Sequence, residues 1–207
     1  MILSWKPQLS LPNHFRKSIK GETMPIINVY APFSGTITAV DSSCGAQHYP
    51  CNGEGYLLDV AAPAGTYVYL YVTYPIKVYI STLYQCCFST SPDYYRRIRR
   101  IDLYDYSTNC YAGSVFYGHL DQAAGQVGDG WRTLLTSNYL LLGRVSGCTL
   151  CSLSPKCCCG AISGSSCCFT GPHVHMGIAG GQRAALACGQ FVSQGTTLLY
   201  SFRVQSC

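Results

Sequence analysis

The chain has 207 residues, only 11% of them charged, and a formal net charge of +5 at pH 7. A chain of this length fits one domain with a sizeable core. Glycine (21), tyrosine (17) and cysteine (14) are abundant, and this mixture of turn-forming and β-favouring residues favours an all-β protein over a helical one. The basic residues are too scattered to indicate nucleic-acid binding, whereas a modest positive charge fits an anionic surface such as a cell-wall polymer.

Strand signals begin at Ile26 and continue to the end of the chain. Apolar residues alternate with polar ones or form short runs, as strands do, and no stretch of ten or more residues has a helical period. The predicted strands cover residues 26–30, 36–40, 67–72, 77–80, 98–106, 114–117, 139–145, 173–178 and 197–204. We therefore predict an all-β fold built from a mostly antiparallel sheet.

The organisation along the chain is simple. Residues 1–23 hold two prolines and show no period, so we expect an irregular lead there and one domain over residues 24–207. No apolar stretch approaches the length of a transmembrane helix, and the first residues lack the continuous apolar core of a secretory signal. We interpret the densest basic run, RRIRR at residues 96–100, as a solvated loop that leads into a strand.

Two histidines occur in the segment GPHVH at residues 171–175. Residues i and i+2 of a strand project to the same face, so His173 and His175 direct two imidazoles into one cleft. Imidazole is a zinc ligand and also moves protons near neutral pH. An HxH pair alone is weak evidence, because two histidines can simply lie on one strand, and the case depends on further residues.

Three further polar residues precede this pair in the chain. Asp59 lies in an otherwise apolar strand, where a carboxylate is costly to bury unless it is paired or binds a cation. His48 lies upstream of Asp59, and His119 lies at the end of an apolar strand, just before a glycine-containing turn. Four of the five histidines therefore fit one metal-site pattern, and only His14, in the N-terminal lead, has no place in it.

The order of these motifs resembles the lysostaphin-type (LytM-like) zinc metallopeptidases. The resemblance covers roughly residues 30–180 and is carried by DVAAPAGT at residues 59–66, YGHL at residues 117–120 and GPHVH at residues 171–175, with a glycine-containing strand, GRVSG, at residues 143–147. Members of that family share a β-sheet core with an active-site groove, a lysostaphin-like duplicated hybrid motif, and most cut peptide bonds in bacterial peptidoglycan. The resemblance therefore implies the same fold and activity here.

Carried over by position, the resemblance makes His48, Asp59 and His175 the zinc ligands and makes His119 and His173 the catalytic pair. Three protein ligands leave one position on zinc open for water, whose pKa the metal lowers toward neutrality. The two unligated histidines would orient that water, move its proton and stabilise the oxyanion that develops on the scissile carbonyl.

The chain departs from the family pattern at the first ligand. The usual motif places a histidine four residues before the aspartate, where this chain has Gly55, and His48 lies eleven residues before Asp59. His48 serves as a ligand if the intervening loop bulges outward, and Glu54 is the alternative ligand. Without a third ligand, Asp59 and His175 alone are too few for tight zinc binding.

The second departure is a cysteine-rich insert over residues 148–168. It holds seven of the fourteen cysteines, and an even, dense set of cysteines favours a disulfide framework in an oxidising compartment. A second, structural zinc bound by Cys148, Cys151 and two later cysteines is the competing interpretation. A further expectation is a disulfide between Cys44 and Cys51 that closes a small loop around His48, and pairing of each with a distant cysteine remains the alternative.

These observations predict a zinc metalloendopeptidase that acts on peptidoglycan peptides outside the cytoplasm, whether extracellular, periplasmic or carried on a phage particle. Two other classes stay open. A degenerate member of the same fold would bind peptidoglycan or regulate a cell-wall hydrolase without catalysis, and a cysteine-rich adhesive or structural protein would leave the ordered histidines as coincidence. The bond that is cut and the oligomeric state are not encoded in any motif.

Overall fold

The computed structural model describes residues 24–41, 55–84, 97–147 and 171–207. Within these residues the chain forms thirteen strands and no helix. The strands are β1 Ile26–Tyr30, β2 Gly35–Val40, β3 Gly55–Ala61, β4 Tyr67–Val72, β5 Ile76–Tyr84, β6 Arg97–Asp105, β7 Tyr111–Asp121, β8 Gly130–Leu134, β9 Tyr139–Val145, β10 His173–Ala179, β11 Gln182–Arg183, β12 Phe191–Val192 and β13 Leu198–Arg203. The all-β prediction is confirmed.

One antiparallel sheet joins all thirteen strands in the order β11-β13-β1-β4-β9-β7-β10-β3-β2-β12, and β6, β5 and β8 extend from the other edge of β7. Every strand predicted from alternation is present. The sequence patterns missed β8, β11 and β12, and β7 is considerably longer than the predicted strand over residues 114–117. The long strand β7 occupies the centre of the sheet, since it pairs with β6, β9 and β10.

The apolar faces of the strands meet in one core. In β4, Val68, Leu70 and Val72 are fully buried, while the alternating tyrosines point to the opposite face, as the period of two requires. These tyrosines form a ladder with a tyrosine of β9, with neighbouring ring centroids 5.7 to 6.5 Å apart; its members are Tyr67, Tyr69, Tyr71 and Tyr139. Part of the tyrosine content therefore serves cross-strand contacts.

The interpretation of residues 96–100 as a solvated loop is wrong for Arg99. This residue lies within β6 and is only 2% exposed. Its guanidinium donates to the Val127 carbonyl (2.8 Å) and the Thr82 hydroxyl (3.1 Å), and it lies 3.5 Å from an Asp129 carboxylate oxygen. Because these partners lie in β5 and in the β7–β8 connection, the charge is compensated by groups that are distant in sequence.

Disulfide bonds are present, as the cysteine content predicts. Cys110, just before β7, is joined to the C-terminal Cys207, with a Cα–Cα distance of 5.7 Å, and Cys188 is also disulfide-bonded. The insert over residues 148–168, and with it the choice between disulfides and a structural zinc, lies outside the described residues, as do Cys44 and Cys51. None of the described residues forms a helix long and apolar enough to cross a membrane.

Candidate active site

Three adjacent strands at the centre of the sheet carry four of the five predicted site residues. Strand β3 carries Asp59, β10 carries His173 and His175, and β7 carries His119. His175 pairs directly with Asp59 on one side and with Gly118 on the other. Their strand neighbours enter the core, namely Leu58, Val60, Val174 and Met176. The aspartate and the two histidines of β10 therefore share the face opposite the core.

The carboxylate of Asp59 contacts both histidines of β10. Its Oδ1 lies 3.0 Å from His175 Nδ1, and its Oδ2 lies 3.6 Å from His173 Nε2. All three residues are only 9% exposed. The expectation that a carboxylate in this apolar strand must be paired is thus confirmed, since burial of an unpaired charge would be costly.

The hydrogen bond of His173 selects its tautomer. Its Nδ1 lies 2.8 Å from the carbonyl oxygen of Gly171, and only a protonated nitrogen can donate to a carbonyl. In the neutral ring the lone pair is therefore on Nε2, the nitrogen that faces Asp59. This arrangement makes Nε2 of His173 a proton acceptor on the face of the sheet opposite the core.

His119 reaches the site through a β-bulge. Between the pairs Arg99–Tyr117 and Arg97–Leu120, β7 has two residues where β6 has one, and His119 adopts a left-handed conformation with φ of 60°. Tyr117 faces the core, so regular alternation would send His119 there as well. The bulge instead places its ring against that of His173 (centroids 4.8 Å apart) and near that of His175 (5.9 Å).

Gly118 is the pairing partner of His175 on β7. A Cβ atom at position 118 would lie 3.4 Å from His175 Cβ and 3.7 Å from its Cδ2. A methyl at this position would therefore make ordinary van der Waals contact with His175. Gly118 thus lies directly beside the His175 side chain.

Two polar residues beside His119 were not singled out from the sequence. The Ser146 amide donates to the His119 carbonyl (3.0 Å), and the Ser146 hydroxyl donates to Asp121 Oδ1 (2.9 Å). Asp121 directly follows the YGHL motif, and Ser146 lies within the GRVSG motif. The signal that would have found them is a carboxylate at the last residue of β7 and a hydroxyl directly after β9.

Tyr117, the first residue of the YGHL motif, does not belong to the site. Its side chain is fully buried on the core face of β7. Burial raises the pKa of its phenol well above the ordinary value near 10, so the hydroxyl stays protonated at physiological pH. It therefore contributes packing beneath the histidines rather than proton transfer.

Asp59 and His175 are separated by a distance close to that of two ligands on one zinc ion, which is also the distance of a hydrogen bond. Two ligands on a tetrahedral zinc, at bonds of about 2.0–2.1 Å, are about 3.3 Å apart, and Asp59 Oδ1 and His175 Nδ1 are 3.0 Å apart. In the stretches 24–41, 55–84, 97–147 and 171–207, no three histidine, cysteine, aspartate or glutamate side chains are arranged to hold an ion by themselves. A metal site on Asp59 and His175 would need a third ligand from elsewhere in the chain, and the two predicted candidates, His48 and Glu54, lie outside the described residues.

Comparisons of the chain with models of protein families, with curated proteins and with solved structures find no significant match.

Proposed function

We propose that this chain is a zinc metalloendopeptidase that hydrolyses peptide bonds in bacterial cell-wall peptidoglycan. The observation that carries the proposal is the convergence of Asp59, His119, His173 and His175 on one face of three adjacent strands. These residues come from three separate stretches of sequence, in the order that the lysostaphin-type resemblance requires. A purely structural role gives no reason for three imidazoles and a carboxylate to meet on the face away from the core.

In this proposal Asp59 and His175 hold the zinc ion together with His48. When bound, the ion supplies a Lewis acid and lowers the pKa of a coordinated water toward neutrality. The carboxylate of Asp59 reduces the positive charge of the site and remains close to His173 through its second oxygen.

The two other histidines would perform the proton transfer. His173 Nε2 carries the lone pair, because Nδ1 donates to the Gly171 carbonyl, and it is therefore the atom that accepts the proton of the attacking water. His119 packs edge-on against the same ring. From that position His119 would donate a hydrogen bond to the negative charge that develops on the carbonyl oxygen, and either histidine could then return a proton to the leaving amine.

The substrate also decides where the protein would act. Peptidoglycan lies outside the bacterial cytoplasm, so the proposal places the chain in an extracellular, periplasmic or phage-particle setting. The disulfide-bonded Cys110, Cys188 and Cys207 fit such an oxidising environment.

The test is digestion of purified sacculi by the zinc-loaded chain, with released peptides and new amino groups measured. We expect zinc-dependent release that a chelator abolishes and added zinc restores, and His173→Ala should bind sacculi without releasing peptides. Binding by the unmodified chain with no new amino groups would favour the non-catalytic alternative. Release of reducing sugar ends in place of amino groups would contradict a peptidase.

A further inference from the structure

The backbone at His119 is held in a conformation that a residue with a side chain rarely adopts. Its φ is 60°, and the left-handed region is uncommon for residues other than glycine, although asparagine, aspartate and histidine adopt it more often than the rest. Such a conformation persists only where the surrounding structure imposes it. At this point β7 also exchanges one neighbour for another, since Gly118 pairs with β10 and Leu120 pairs with β9.

Ser146 contacts the residues on both sides of Leu120, the backbone of His119 and the side chain of Asp121. Its amide donates to the His119 carbonyl at 3.0 Å, and its hydroxyl lies 2.9 Å from Asp121 Oδ1, the nearer acceptor, and 3.2 Å from the Gly147 carbonyl oxygen. Ser146 is 1% exposed, and its partner Asp121 is partly buried. Leu120 itself is buried and paired with Val145. Residues 119–121 therefore each contact Ser146 or its neighbour Val145.

The side-chain hydrogen bond is the part of this arrangement that depends on residue type. Any residue except proline at position 146 can offer an amide to the His119 carbonyl, whereas the bond to the Asp121 carboxylate needs the side-chain hydroxyl of Ser146. Hydrogen bonds to a charged acceptor are stronger than those between neutral groups. The hydroxyl thus restrains Asp121, two residues after His119.

We propose that Ser146, through its hydroxyl and Asp121, is a positioning residue that keeps His119 in the bulge and its ring on the face of the sheet that carries Asp59 and His175. The catalytic meaning of this inference rests on the proposed function, whereas the conformational claim concerns the chain alone. Loss of the hydroxyl would let the bulge relax and the His119 ring leave its place beside His173, without a change at the metal ligands.

Two variants and one matched control test the proposal. Ser146→Ala removes the donor, and Asp121→Ala removes the acceptor at a partly buried position. Ser114→Ala is the control. Ser114 lies in β7, the strand that carries His119 and Asp121, and it is fully buried. Its hydroxyl also donates to an aspartate, Asp102, but it lies away from the histidines.

The first readout needs neither metal nor activity. In the metal-free chain, nuclear magnetic resonance signals of the His119 ring, assigned by their loss in His119→Gln, should shift or broaden in Ser146→Ala and in Asp121→Ala and stay unchanged in Ser114→Ala. The second readout is turnover on sacculi. We expect kcat to fall about 10- to 100-fold in the two test variants, with KM and zinc content unchanged.

Unchanged His119 ring signals in a folded Ser146→Ala chain would overturn the proposal, as would equal changes in Ser114→Ala. If Ser146→Ala does not fold, Asp121→Ala decides in the same way. If the unmodified chain releases no peptides, the proposed function fails and the ring signals alone decide whether Ser146 positions His119.

Discussion

The buried carboxylate of Asp59 contacts two histidines. Its carboxylate has one oxygen for each histidine of β10, so the two imidazoles and the carboxylate are packed as a unit between strands that place them at matching positions. A buried carboxylate next to neutral imidazoles is compensated when a cation or a proton lies between them. Under the proposed function, a divalent ion bound by Asp59 and His175 would meet this requirement.

A first prediction separates ligands from proton-transfer residues. His175→Ala and Asp59→Ala should lose zinc and activity together, because a site with three protein ligands cannot spare one. His119→Ala and His173→Ala should lower turnover at least about 100-fold while zinc stays bound, since each removes only general acid–base or oxyanion stabilisation. Zinc content by atomic absorption and peptide release are measured on the same preparations. Loss of zinc from His119→Ala as complete as from His175→Ala would show that the roles are assigned wrongly.

At the scale of elements, the connection between β7 and β8 is attached to the sheet through Arg99. The guanidinium joins Thr82 of β5 to Val127 and Asp129, and Asp129 in turn accepts from the Thr82 amide (3.0 Å) and hydroxyl (2.7 Å). This connection follows directly after His119 and Asp121. Its attachment therefore limits how far the end of β7 can move.

We expect Arg99→Met to lower the free energy of unfolding by about 2–3 kcal/mol, because the Val127 carbonyl and the Thr82 hydroxyl lose a charged donor. The matched control is Arg203→Met, an arginine on the exposed side of β13, for which a change within about 0.5 kcal/mol is expected. Urea unfolding measures both. Equal effects of the two substitutions would mean that the hydrogen bonds of Arg99 do not stabilise the fold.

The turn between β6 and β7 gives a prediction about pH. Burial would raise the pKa of Asp105, but hydrogen bonds from the hydroxyls of Ser107 and Thr108 and from the Thr108 amide outweigh it, so the pKa is lowered. A carboxyl whose pKa is lower in the folded state adds stability above its unfolded pKa of about 3.9, and this stability is lost as pH falls through the folded value.

Asp105→Asn should therefore be less stable than the unmodified chain at pH near 7, and the difference should diminish as pH falls below the ordinary carboxyl pKa of about 3.9 and through the lower folded-state pKa of Asp105. Thermal unfolding of both chains across this range measures the difference. Ser107→Ala, which removes one donor, should give a smaller change of the same sign. A difference that stays constant from neutral to acid pH would contradict this account of the turn.

The elements also show what local sequence can and cannot predict. Strands such as β4 and β10 were predictable because their alternation is set by which face is buried. Strands β11 and β12, with two residues each, carry too few positions for a period. The burial of Arg99 depends on Asp129 and Val127. The direction of the His119 side chain depends on the point at which β7 stops pairing with β10 and starts pairing with β9. The residues next to Arg99 and His119 in sequence predict neither of these contacts. The convergence of His119, His173 and Asp59 was predicted only through the order of motifs.

At the scale of the whole molecule, the Cys110–Cys207 disulfide joins the C-terminus to the start of β7. The two cysteines are 97 residues apart in sequence, so the crosslink closes a long loop that contains β10 and much of the site. In the chain-entropy account, a loop of about 100 residues corresponds to about 4–5 kcal/mol, of which measured disulfides commonly deliver about 2–5 kcal/mol.

Replacement of both cysteines by alanine should lower the free energy of unfolding by about 2–5 kcal/mol while the native fold is retained at room temperature. Guanidinium unfolding under non-reducing conditions isolates this bond from the other disulfides. Each single replacement should cost nearly as much as the double one, since either removes the crosslink. A loss below about 1 kcal/mol would show that the terminus is held by packing alone.

The central claim is that one zinc ion binds at Asp59 and His175 rather than among the cysteines. X-ray absorption at the zinc edge of the chain loaded with one equivalent of metal tests it most directly, because zinc–sulfur bonds near 2.3 Å differ from zinc–nitrogen and zinc–oxygen bonds near 2.0–2.1 Å. The account predicts a first shell of nitrogen and oxygen only, with imidazole scattering that diminishes in His175→Ala. A first shell that contains sulfur, or one unchanged in His175→Ala, would contradict it.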